Sequence, residues 1–116
     1  VIDARSIVPF DFEPVLESVR KTGKILLTSD ACERGSILQT FASVITRLAF
    51  DWLDAPPVVV GARNWITPPD EIEDSFFPFA SDLIDVIHLN LRPLAGYSPC
   101  RPRTGEDLMR CSREGI

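Results

Sequence analysis

Apolar positions along this chain recur with two spacings, and the spacing changes at glycines and prolines. Phe12, Val15, Leu16 and Val19 fall at i, i+3, i+4 and i+7, one face of an α-helix. Asp11 stands where an N-cap is expected, and Pro14 lies in the first turn, where its missing N–H costs least. Arg20 and Lys21 suit a helix C-terminus, and Gly23 ends it. Residues 24–29 read KILLTS, whose unbroken apolar centre predicts a strand buried on both faces, as in a parallel sheet. After a loop over 30–35, Ser36 is placed to cap a long helix. There Ile37, Leu38, Phe41, Val44, Ile45, Leu48, Ala49 and Trp52 keep helical spacing until Pro56 and Pro57 stop it.

Residues 57–61, PVVVG, predict a second buried strand, and 1–4 are a short strand candidate before the break at Pro9. A loop over 63–71 holds Pro68 and Pro69, and Phe76, Phe77 and Phe79 cluster around Pro78. A last helix is predicted over 81–92, with Leu83, Ile84, Ile87 and Leu91 on one face. Past Leu94 the periodicity ends. Residues 1–94 read as one domain and 95–116 as a flexible tail, with a short helical turn near Leu108 and Cys111. Strands alternating with helices imply α/β layers around a mostly parallel sheet. Three strands would leave that sheet with bare edges, so the expectation is a domain lacking its first strands. No internal repeat is present.

The 116 residues suit a single domain, and 45% hydrophobic with 25% charged residues is ordinary for a globular one. No apolar run approaches the ~20 residues of a membrane span, and no basic-then-apolar signal segment opens the chain. The net charge of −5 is uneven: residues 1–91 hold seven basic against fourteen acidic residues, and 92–116 hold five against three. An acidic body repels nucleic acid and anionic membranes and attracts a basic partner. Cys32, Cys100 and Cys111 are an odd set without a CxxC, which argues against a disulfide framework and a zinc site and fits a reducing compartment.

Candidate chemistry is sparse. His88, the one histidine, has no convergent partners at metal or catalytic spacing and reads as a packed or half-exposed helix residue. Cys32 follows a strand near a helix N-terminus, where a thiol is activated, but lacks a second triad member. Glu33-Arg34-Gly35-Ser36 precedes the long helix without a phosphate-binding glycine pattern, and reads as a tight turn and cap. Asp70, Glu71, Glu73 and Asp74 read as a solvated loop and helix start. Asp51 and Asp54 are more informative. They are expected one turn apart at the end of the long helix, where negative charge opposes the helix dipole. They are either a solvated surface or an acidic docking patch for Arg or Lys of a partner.

Residues 1–11, VIDARSIVPFD, resemble the V-I-D-L-R-T-I-x-P-x-D segment of the beta subunits of pyruvate and branched-chain 2-oxo acid dehydrogenases. Further pieces follow in that family's order: SVRKTGKILL (18–27), ERGS (33–36), FDWLDAP (50–56), VVVG (58–61) and, over 73–78, the pattern E-D-x-F-x-P. The resemblance spans residues 1–92. It implies the three-layer α/β/α transketolase C-terminal fold around a five-strand mixed sheet, with two strands and a helix preceding this segment and one of those strands lying centrally. The absence of that strand would leave a gap in the sheet, so either the chain is a fragment of a longer subunit or the two strands pair directly.

The resemblance also implies a role. Thiamine diphosphate and magnesium belong to the full assembly, held between the alpha subunit and the N-terminal domain of the beta subunit, so no catalytic, thiamine or metal residue is carried over. This domain helps assemble a heterotetramer with the alpha subunit and a second beta subunit. It also offers an acidic surface to the subunit-binding domain of the acyltransferase core. The aspartate of L-D-A-P takes part there in some members; here it is Asp54, with Asp51 before it. The setting implied is a bacterial cytoplasm or a mitochondrial matrix. Two departures stand out: Ser29-Asp30-Ala31 replaces the Glu-Glu-Gly or His-Glu-Ala of many members, and residues 93–116 run past the usual family end. Alternative readings are the equivalent domain of a transketolase or deoxyxylulose-phosphate synthase, and a stand-alone protein-interaction module.

Overall fold

The computed structural model describes residues 1–99, with the backbone alone at positions 72, 74 and 75. The predicted turn near Leu108, and Cys100 and Cys111, lie outside the described residues. The first helix runs Glu13–Thr22 (α1). Asp11 caps it from one residue further out than expected, its carboxylate accepting the Glu13 backbone N–H at 3.0 Å. Gly23 ends it in the left-handed conformation, φ 68°, and returns its N–H to the Val19 carbonyl.

The first strand, Leu26–Cys32 (β1), reaches three residues past the predicted end. The long helix, Ile37–Ala49 (α2), starts after Ser36, but the Ser36 hydroxyl turns back to the Glu33 carbonyl instead of capping. A 3-10 turn, Phe50–Trp52, extends it, and the second strand is Val58–Ala62 (β2).

The two strands pair in parallel with Leu26 opposite Val58 and Cys32 opposite Ala62, joined by the crossover through α2. The two strands therefore pair directly. The register breaks between Thr28 and Cys32, where β1 bulges. Gly61 lies against the bulge: a Cβ there would stand 2.5 Å from the Ala31 carbonyl oxygen and 3.0 Å from the Glu33 nitrogen. The glycine of PVVVG is therefore a close-approach position.

Packing follows the amphipathic faces. Val15, Leu16 and Val19 of α1 meet Ile45 and Ala49 of α2, with Phe10, Phe12, Ile25, Leu27 and Leu53 packed around them. Phe10 stacks on Phe41, and Phe12 meets Phe41 edge-on.

Four expectations are corrected. Residues 1–4 form no strand; they are exposed and pair with neither β1 nor β2. A strand needs a neighbour for its N–H and C=O groups, and no such ladder forms here. No residue of β1 is fully buried, because a two-stranded sheet leaves much of a strand's surface open.

In α2, Leu48 and Trp52 of the predicted stripe are 45% and 46% exposed, since only Phe41, Ile45 and Ala49 face the seam. The last helix is Ala80–Val86 (α3), continued by a π-helical turn, Ile87–Leu91. Its buried residues are Asp82, Asp85 and Val86, whereas Ile84 is exposed. The wider turn shifts the phase of the apolar positions that follow it. Asp82 sits inward because its carboxylate accepts the Phe79 backbone N–H at 2.9 Å, the return half of a capping box.

Candidate functional site

Asp51 and Asp54 occupy a corner where two helix C-termini meet. Asp51 lies in the 3-10 turn that extends α2. Asp54 lies beyond it, after Leu53 turns the backbone to an extended conformation, so the pair is not one helical turn apart as expected. The Asp54 backbone N–H donates to the Gly23 carbonyl at 2.8 Å, which fastens it over the end of α1. Its carboxylate rests directly on the Gly23 Cα, in space that any Cβ would take. Glycine is thus favoured at 23 by its positive φ, and a side chain there would displace the Asp54 carboxylate.

Both aspartates are exposed, and neither forms an ion pair among the described residues. Placed at helix C-termini, such charges each oppose a dipole by roughly 0.3–1 kcal/mol. A cation brought to the corner relieves that opposition.

Apolar surface flanks the charges: Phe50 is 71% exposed, with Leu48 and Trp52 nearby in sequence and half-exposed. Arg20 lies 5.2 Å over the Trp52 ring and pairs with Glu13 at 2.8 Å. The helical periodicity had put Trp52 on the buried stripe. The signal that it is exposed was its place in DWLD, past the point where α2 tightens into a 3-10 turn. Replacing Gly23 by alanine is expected to cost about 1–2 kcal/mol through the left-handed backbone alone and to push the Asp54 carboxylate aside. An unchanged thermal midpoint would refute this preference.

The other candidates do not converge on this corner. Cys32, half-buried, ends β1. The Arg34 N–H donates to the Asn64 side chain at 2.7 Å, which holds the turn before α2 against the loop after β2. Asp70, Glu71 and Glu73 are exposed on the 3-10 helix Asp70–Ser75. His88 is half-buried, and its Nδ1 accepts the Leu94 backbone N–H. Among the described residues no group of three or more His, Cys, Asp or Glu is placed to hold a metal, and no helix is long and apolar enough to cross a membrane.

The direct strand pairing and the α2 crossover define an α/β domain. Residues 1–83 match the family "Transketolase, C-terminal domain", and the chain belongs to that family. It is 34% identical over 91 residues to the pyruvate dehydrogenase E1 component subunit beta of Leifsonia xyli, covering 78% of this chain and 27% of that protein. It is 32% identical over 107 residues to the subunit of the same name in Chlorokybus atmophyticus, covering 91% and 31%. With the 2-oxoisovalerate dehydrogenase subunit beta of Bacillus subtilis it shares 39% identity over 56 residues, 48% of this chain and 17% of that one. The matched segment spans about a quarter to a third of the pyruvate dehydrogenase relatives.

Proposed function

We propose that this chain is the C-terminal assembly and docking domain of the beta subunit of a thiamine-diphosphate-dependent 2-oxo acid dehydrogenase. In that complex a 2-oxo acid is oxidatively decarboxylated and its acyl group passes to a lipoyl acyltransferase. The observation that carries the reading is the corner at Asp51 and Asp54: two exposed carboxylates at helix C-termini, bordered by exposed Phe50 and Trp52. Interfaces favour this combination of an aromatic anchor with a charge that pairs across the contact. Beta-subunit relatives with names from two such enzymes support the same reading.

The partners in this proposal are an alpha subunit, a second beta subunit and the subunit-binding domain of the acyltransferase. That domain would present Arg or Lys to Asp54 and Asp51. Thiamine diphosphate supplies the electron sink for decarboxylation, and magnesium anchors its diphosphate. In this proposal both are held by the alpha subunit and the N-terminal domain of the beta subunit. The contribution of this domain is to hold the assembly and present a docking surface. The setting proposed is a bacterial cytoplasm or a mitochondrial matrix.

Titration of the assembled alpha and beta subunits with the acyltransferase's subunit-binding domain, followed by calorimetry, tests this. Saturable binding that weakens as salt rises is expected, because opposite charges meet at the rim and centre of the contact. Absence of binding by a correctly assembled protein would overturn the docking role.

A further inference from the structure

The segment that follows α3 is tied down by a polar constellation that the docking reading does not use. His88 stands half-buried in the π-helical turn, and its Nδ1 accepts the Leu94 backbone N–H at 2.8 Å. Its ring lies against Tyr97, with centroids 5.4 Å apart. The Tyr97 hydroxyl donates to Asp85 Oδ1 at 2.6 Å, and Asp85 is fully buried. A turn joins the two anchored points, with the Tyr97 N–H donating to the Leu94 carbonyl at 3.2 Å. Asp85 and His88, three residues apart, therefore hold the chain at two places.

The two holds differ in chemistry. A phenol hydroxyl donating to a carboxylate survives throughout the neutral range. An imidazole nitrogen accepts a hydrogen bond only while it carries no proton, because both ring nitrogens of the imidazolium are donors. Protonation at Nδ1 sets a donor against the Leu94 N–H, and that amide loses its partner.

We infer that His88 is a proton-operated latch. When neutral, it fastens Leu94 to the end of α3; when protonated, it releases Leu94 and leaves the segment held through Tyr97. Charged groups on the surrounding elements are Asp82 and Asp85 of α3, Arg92 just beyond the turn, and Lys24 before β1. The Lys24 ammonium donates to the Leu91 carbonyl at 2.7 Å. Asp82 is engaged with the Phe79 N–H, Asp85 with Tyr97, and Arg92 is exposed.

Hydrogen exchange of the Leu94 amide in the full chain, corrected for the intrinsic effect of pH, reads the latch directly. Protection is expected to fall about five- to tenfold as the ring takes up a proton, the change that one net hydrogen bond represents. His88→Asn places a non-titrating oxygen near the Nδ1 position, so protection should persist and lose its pH dependence. Tyr97→Phe should lower protection at every pH and keep the dependence. In the unaltered chain, the imidazole nitrogen shifts of His88 should change over the same pH interval as the Leu94 protection. A constant Leu94 protection, a dependence that survives His88→Asn, or titration of the ring at a different pH from the amide would each overturn the latch.

Discussion

Ile45→Ala is expected to lower the unfolding free energy of the full chain by about 2–5 kcal/mol, the range for truncating a large aliphatic side chain in a packed core. Ile45 is 1% exposed and sits among Val15, Leu16, Val19 and Ala49, where α1 and α2 close on each other. Removing its outer carbons leaves a cavity walled by two helices. Their own contacts keep them from collapsing into it, so both the transfer free energy and the cavity term are lost. Domains of this size are stable by only about 5–15 kcal/mol, so the change takes a large share of the total.

Urea unfolding should show a lower midpoint with an unchanged slope. Leu48→Ala is the matched comparison. Leu48 lies on the same predicted stripe but is 45% exposed, and its loss should stay near 0.5 kcal/mol. Equal losses at the two positions would mean that the α1–α2 seam is not the core.

Asp54→Ala is expected to weaken docking to the subunit-binding domain by about 2–5 kcal/mol, the cost of truncating one partner of a desolvated charge pair. That corresponds to an affinity about 30-fold to several thousand-fold lower. The fold should be untouched, because Asp54 is fastened to Gly23 through its backbone N–H, which alanine retains. The carboxylate itself makes no hydrogen bond among the described residues.

In the proposed docking, part of the loss would arise in the partner, whose Arg or Lys would be left without a counter-charge. Asp70→Ala serves as the control. Asp70 is exposed on the 3-10 helix Asp70–Ser75 and should change affinity by no more than the roughly 1 kcal/mol of a solvated pair. Unchanged calorimetric affinity for Asp54→Ala, with its melting transition intact, would remove Asp54 from the interface.

The helices with strong periodicity, the two parallel strands and the α/β class were legible in the pattern of residues. Its ordered motifs also pointed to the family that residues 1–83 match. These features are local: a 3.6-residue period, a proline or glycine stop and a β-branched run act within a few residues of one another. Asp51 and Asp54 could be singled out in the same way, from charge near a helix end.

Which faces were used emerged with the fold. Residues 1–4 have strand character but no neighbour on the sheet, and pairing depends on a second chain segment that pattern cannot supply. On α3 the apolar stripe yielded to Asp82 and Asp85, because a buried carboxylate is tolerated where a donor meets it: the nearby Phe79 N–H for Asp82, the Tyr97 hydroxyl for Asp85. Trp52 came to the surface because α2 tightens before reaching it. Asp54 settled against Gly23, thirty-one positions earlier, through its backbone N–H, with its carboxylate in the space a Cβ at 23 would take. The strand pairing, the Asp85–Tyr97 bond and the Asp54–Gly23 contact turn on residues far apart in the chain, and the cap at Asp82 and the turn at Trp52 on local geometry that a simple 3.6-residue period does not encode.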